Sequence, residues 1–245
     1  MKNRIKTRTL TTIGLLVGIM IVLSSTPLGF IPIGPIFATT IHIPVIIAAV
    51  LLGKKTGALM GLFFGLLSLI RAYTQPTPTG FIFMDPLVSL LPRVLMGYMT
   101  GLFYEKIKDL ESSSLKKYSI GILSILVIYI IYGIIKSGFG FSANFTSYIL
   151  VILSLGIGIM IIKSKDDSAS LYLTAIIGTG INTFLVLGMV YLIHAKTFLE
   201  AVGKSGDIAL NIILSIAMIN GLPEMLIAGI IVSAICKIAL KNKLI

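Results

Sequence analysis

Tryptophan is absent from this chain, cysteine occurs once, histidine twice, and only nine of its 245 residues are acidic. Each shortage excludes something. A single thiol, Cys236, can neither close an intrachain disulfide nor build a cysteine metal cluster. His42 and His194 are not spaced as a metal-binding pair. No G-x-x-x-x-G-K-[ST] stretch occurs, so the chain encodes no phosphate loop of its own. H-E-x-x-H and G-x-S-x-G are missing as well. The residues point to no enzyme, no metal and no cofactor.

What remains is apolar. Hydrophobic residues make up 56% of the chain, charged ones 12%, and the mean hydropathy is +1.05. A soluble domain of this length could not hide so much apolar surface, so the composition is that of a polytopic membrane protein. The net charge of +11 is no signature of nucleic-acid binding, because the basic residues sit in short clusters between apolar runs. The partner this implies is the lipid bilayer, not nucleic acid.

Apolar runs fall at 9–26, 38–53, 56–73, 86–104, 119–136, 146–162, 169–194 and 208–240. Most have the length of a membrane span. The last is too long for one and is interrupted by Asn220-Gly221-Leu222-Pro223. It predicts a short half-helix, a break, and a full helix from about Leu222. Residues 1–25 also have the outline of a signal peptide, but the apolar run outlasts that length and no A-x-A site follows. The reading is an all-α, single-domain transmembrane helix bundle of about eight spans over 1–245.

Positive charge orients it. With both termini inside, the inner segments hold fifteen of the basic residues, in clusters such as Lys54-Lys55, Lys106/Lys108, Lys116-Lys117 and Lys163/Lys165. The outer segments hold four: Arg71, Lys136, Lys196 and Lys204. Such an excess marks the cytoplasmic side. The remaining cation, Arg93, lies within a span, about 10 Å in from Pro86 at 1.5 Å per residue. A cation at that depth costs at least ~2.5–3.5 kcal/mol unless it is paired or wet.

Other polar residues share its depth. His42 and Thr40 open the second run, Asn182 sits near the middle of the seventh, and Glu224 follows the expected break in the last. Polar groups inside a membrane mark a solute path or a binding cavity. Two readings of the charges are open: Arg93 and Glu224 pair and fix the packing, or Arg93 offers its planar fork to a carboxylate ligand. His42 reads either as a satisfied interfacial histidine or as a ligand contact. Asn182, among Gly178, Thr179, Gly180 and Thr183, reads as helix glue or as a contact. Asp85 before Pro86 reads as a helix cap. Gly14 and Gly18 form a small-xxx-small face on the first span, for packing within the bundle or for docking another membrane subunit.

The stretches GFIPIGPIFATTIHIPVIIAAVLLGKKTGALMGLFFGLLSLIRAYTQPTPTG, PLVSLLPRVLMGYMTGLFY, GTGINTFLVLGMVYL and GLPEMLIAGIIVSAICKIAL, in that order, resemble the substrate-binding S components of energy-coupling factor (ECF) vitamin transporters. The resemblance implies a six-helix core that captures a vitamin from outside. It further implies partnership with a transmembrane coupling subunit and two cytoplasmic ATPase subunits. By the same resemblance Gly14 and Gly18 fall on the docking face of the first helix, Arg93 and Asn182 in the helices lining the pocket, and Thr26–Ile36 on the lid above it. The family places alanine at the docking positions, where this chain has glycine. Two apolar runs at 119–162 depart from the six-helix pattern and read as an inserted helical hairpin, whose outer tip could bring Asn144 to the pocket or pack on the rim. One buried arginine suits one carboxylate, so within the resemblance the pantothenate-type branch is the expected ligand class, with folate, riboflavin or a pyrimidine precursor as open alternatives. The alternative is a self-sufficient secondary transporter driven by protons through Glu224 and His42.

Overall fold

The computed structural model describes residues 2–33, 36–137, 141–163, 168–204 and 208–242. Within them, side chains are described except at 2–6, 31–33, 36–38, 133, 136–137, 141–146, 148–150, 153 and 160. The chain forms α1 (Lys2–Ser24), α2 (His42–Leu52), α3 (Lys54–Thr74), α4 (Pro86–Ile107), α5 (Ser112–Ser137), α6 (Phe141–Lys163), α7 (Ser168–Ala201) and α8 (Ala209–Lys241). Two short strands, β1 (Phe30–Ile33) and β2 (Ile36–Thr39), stand between α1 and α2. The protein is an all-α helix bundle with this one hairpin added. Among the described residues, six helices are long and apolar enough to cross a membrane. α2 is not one of them: 11 residues reach only about 16 Å.

Three departures from the sequence reading matter for the site. First, 26–36 is not simple loop. The runs Phe30–Ile33 and Ile36–Thr39 pair antiparallel, with Phe30 opposite Thr39 and Ile33 opposite Ile36. Second, α7 extends past residue 194 to Ala201 through a kink at His194, whose φ of −124° and ψ of 18° leave the helical region. Third, α8 is unbroken through Pro223. That proline removes the N–H that would bond the Ile219 carbonyl. The helix continues regardless, because residues 220 to 224 are all buried against neighbouring elements that hold it in place.

The tightest seam joins α3 to α4. Gly57, Gly61 and Gly65 recur every four residues on α3 and face Gly97, Arg93 and Ser89 of α4, backbone against backbone. Gly101 of α4 meets Lys54 in the same way. The short α2–α3 connection that aligns this seam turns on Gly53, whose φ of +87° suits glycine alone. α7 packs on α4 and α8, and α2 is enclosed by α3, α4, α7 and α8. α5 and α6 form a hairpin whose buried face, including Leu123, Ile130, Ile157 and Ile161, packs with Tyr172, Leu173, Leu222 and Leu226 on the far side of α7 and α8.

Candidate functional site

Two adjoining cavities lie at the hairpin end of the bundle. The first, of about 70 Å³, is walled by α4, α7 and α8. The second, of about 80 Å³, lies between the end of α3, the turn at 77–83 and Phe30. They share Thr39, Phe64, Thr79, Phe83 and Arg93. Arg93 therefore stands at the waist between them.

Helical periodicity builds the walls. On α7, Asn182, Thr183, Val186, Leu187 and Val190 form one stripe; on α8, Ile216, Asn220 and Glu224 form another. Beyond the α7 kink, Phe198 turns its buried ring onto the same cavity. On α4 the sequence places Pro92 just before Arg93. Proline has no N–H to give Val88, four residues back, so that carbonyl is left without its helical donor. The Arg93 Nη1 donates to it instead. The guanidinium also stands 5.4 Å from the Phe64 ring centre and 5.2 Å from that of Phe83. A backbone defect and two aromatic faces thus aim the cation into the cavity.

Arg93 and Glu224 do not pair. Among the described residues Lys54 and Glu105 form a salt bridge at 2.6 Å, and His194 Nε2 lies 3.1 Å from Asp85 Oδ2. Glu224 Oε1 instead accepts the backbone N–H of Thr39, tying α8 to the base of the hairpin. The opposite side of that base is held by Arg71, whose guanidinium lies 3.9 Å from the Phe30 ring centre while its Nη1 donates to the Ser24 carbonyl. The packing-pair reading of Arg93 and Glu224 is thereby corrected. The two side chains lie close enough to feel each other's charge but make no direct contact, and both line the first cavity.

Arg93 Nε, Asn182 Oδ1 and Asn220 Oδ1 are buried without a hydrogen-bond partner, and all three residues line the first cavity. An unsatisfied buried polar atom costs ~1–3 kcal/mol. The three residues stand on three different helices, α4, α7 and α8. Sequence reasoning missed Asn220, having assigned it to a helix break; its spacing of four from Glu224 was the available signal.

The other candidates stand apart from the lining. His42 is fully buried, with Nε2 3.1 Å from Thr179 Oγ1 and Nδ1 3.5 Å from Thr39 Oγ1, joining α2, α7 and the hairpin behind the cavity. Thr40 donates its hydroxyl to the Leu28 carbonyl, and it is Thr39 that reaches the cavities. Asn144 belongs to α6 by its backbone, and its side chain lies outside the described ones. Gly14 and Gly18 lie on an exposed face of α1, where an added Cβ would meet nothing within 4 Å. Neither contributes to packing inside the bundle. Asp85 caps α4 by accepting the Leu87 N–H at 2.8 Å, and its other oxygen meets His194 at the α7 kink. The Leu87 N–H, with His194 beside it, holds the Asp85 carboxyl below the usual carboxylate range.

Comparison with known proteins bears on this cavity. A family model described as "ECF transporter, substrate-specific component" matches residues 8–136, more than half of the chain. The chain is 39% identical over 84 residues to the pantothenate transporter PanT of Leuconostoc mesenteroides subsp. mesenteroides, covering 32% of this chain and 41% of that protein. It is 33% identical over 85 residues to the pantothenic acid transporter PanT of Lactococcus lactis subsp. cremoris, covering 29% and 43% respectively. The matched segments span less than half of either relative. The family match takes in α1 to α4, and with them the helix that aims Arg93, and on that match the chain belongs to the substrate-specific components of ECF transporters.

Proposed function

We propose that the cavity pair captures one small monoanionic vitamin, best matched by pantothenate, on the outer side of the membrane. The observation that carries this reading is Arg93: a buried guanidinium with an unpartnered Nε, unpaired with Glu224, facing a cavity on the α7–α8 side. A single such fork suits a single carboxylate. The names of the two relatives agree with that class. The distribution of lysine and arginine supports an orientation with both termini and the Lys54–Glu105 end in the cytoplasm and the hairpin end outward.

Transport then needs partners. The chain carries no phosphate-loop motif, so ATP-driven import would use a transmembrane coupling subunit and two cytoplasmic ATPase subunits. The open face of α1 around Gly14 and Gly18 suits close approach of a partner helix. The α5–α6 hairpin packs with α7 and α8 through Leu123, Ile130, Ile157 and Ile161, which supports reading it as an addition to the rim.

Calorimetric titration of pantothenate into the purified protein tests the capture reading. Wild type should bind with nanomolar affinity, about −12 kcal/mol. Arg93→Gln should weaken it by about a hundredfold or more, with a cooperative melt showing that the variant is still folded. No binding, or equal binding by Arg93→Gln, sinks the reading. Gly14→Leu with Gly18→Leu should leave titration unchanged and abolish co-purification with the coupling subunit. Concentrative uptake by vesicles containing this chain alone, abolished by an uncoupler, would favour the proton-driven alternative.

A further inference from the structure

The first cavity is polarised. Its α4 side presents a cation, a donor only, and its α7–α8 wall carries the Glu224 carboxyl and two side-chain amides, Asn182 and Asn220, each with an unpartnered Oδ1 acceptor beside an NH2 donor. Thr183, the only other polar side chain on that wall, carries a hydroxyl that can donate or accept. The rest of that wall is aliphatic or aromatic: Val186, Leu187, Val190, Phe198 and Ile216. An anion fits the Arg93 end, and the acidic residue in the lining, Glu224, belongs to the α8 wall. At the opposite end a second anion would meet the Glu224 carboxyl, whereas a hydroxyl group can donate to the free Oδ1 atoms and accept from the amide NH2 groups beside them.

Resting on the reading of the cavity as a pantothenate site, we infer that Glu224, Asn220 and Asn182 are specificity residues that accept hydrogen bonds from the ligand's hydroxyl groups, at the end away from its carboxylate. The ligand class is then narrower than a monoanion. It is a monoanion with hydroxyl donors on a branched aliphatic body, and the apolar side chains between the acceptors hold that body. Such a site discriminates strongly, because a ligand lacking the hydroxyls leaves buried acceptors unsatisfied. Glu224 has a second task, since its Oε1 already takes the Thr39 N–H. A residue that merely held the hairpin in place would weaken every ligand alike, and this separates the two roles.

The test crosses ligand against protein. Pantothenate and N-(3,3-dimethylbutanoyl)-β-alanine, which keeps the carboxylate, amide and branched body but lacks both hydroxyls, are titrated into wild type, Asn220→Ala and Glu224→Gln. Wild type should prefer pantothenate by about a hundredfold or more. Asn220→Ala should lose about tenfold of that preference, with affinity for the deoxy analogue nearly unchanged. It should also fold normally, because the atom removed has no partner to lose. Glu224→Gln should lose preference by a similar factor, beyond any loss common to both ligands. Equal binding of the two ligands by wild type overturns the inference and leaves the carboxylate reading standing. So does an equal weakening of both ligands in both variants. No binding of either ligand by wild type overturns the substrate reading, and the inference with it.

Discussion

Gly61→Ala adds one methyl group at the point where α3 lies against the backbone of Arg93. A Cβ there would stand 2.7 Å from the Arg93 carbonyl carbon and 3.0 Å from Val94 Cα, and closer still to the Arg93 carbonyl oxygen. Carbon atoms in contact prefer about 3.5–4.0 Å, so the two helices must part by roughly 1 Å. The obstacle is helix backbone, which cannot swing aside as a side chain would. Overpacking of this kind costs ~1–3 kcal/mol. The better helix propensity of alanine offsets up to ~1 kcal/mol of that. The net loss of stability is about 1 kcal/mol, or a melting temperature lower by about 2–4 °C. Binding should suffer more, because a site held to within about 0.5 Å is being shifted at its cation. A weakening of about tenfold or more in pantothenate affinity is expected. Gly14→Ala is the matched control: nothing lies within 4 Å of its new methyl group, so stability should hold or rise slightly and affinity should not change. Thermal melts and calorimetry of the two variants in one detergent decide the matter. If Gly61→Ala behaves like Gly14→Ala, the glycine seam does not position Arg93.

Two further outcomes follow from the same helix. Pro92→Ala restores an N–H that competes with Arg93 Nη1 for the Val88 carbonyl. The protein should become more stable to heat while pantothenate binding weakens by about tenfold; undiminished affinity would show that the proline does not aim the arginine. Asp85→Ala removes the cap of α4 and should cost about 1 kcal/mol, read as a lower melting temperature. Because the folded-state pKa of Asp85 is depressed, its contribution is full above the ordinary carboxylate value of about 3.9 and fades as pH falls through the folded value. Wild type and variant should therefore differ at neutral pH and converge only in acid. A gap that stays constant in acid would point to a packing loss instead.

The bundle was legible because apolar run length and the placement of lysine and arginine are properties of the chain in one dimension. Helix ends were less so. Pro223 in sequence promises a break, yet residues 220 to 224 are buried on all sides and the helix continues. His194 carries no breaker beside it, yet the chain kinks there, where Asp85 from another element meets its ring. The strand pair at 30–39 could have been anticipated from two short runs rich in Ile, Phe and Thr around Gly34-Pro35.

The depth of Arg93 and Glu224 could be counted off their helices, but whether they touch could not. That depends on the angle each side chain takes about its own helix, and a neighbour decides it in both cases. For Arg93 the neighbour is local: the proline before it frees the Val88 carbonyl, and Gly61 brings α3 close enough to fix the backbone. For Glu224 it is remote, the N–H of Thr39, whose place depends on a hairpin turned by residues far earlier in the chain. Charge complementarity alone would have joined the two residues. A partner already in place for each, the Val88 carbonyl for Arg93 and the Thr39 N–H for Glu224, stands where a direct ion pair would have been expected.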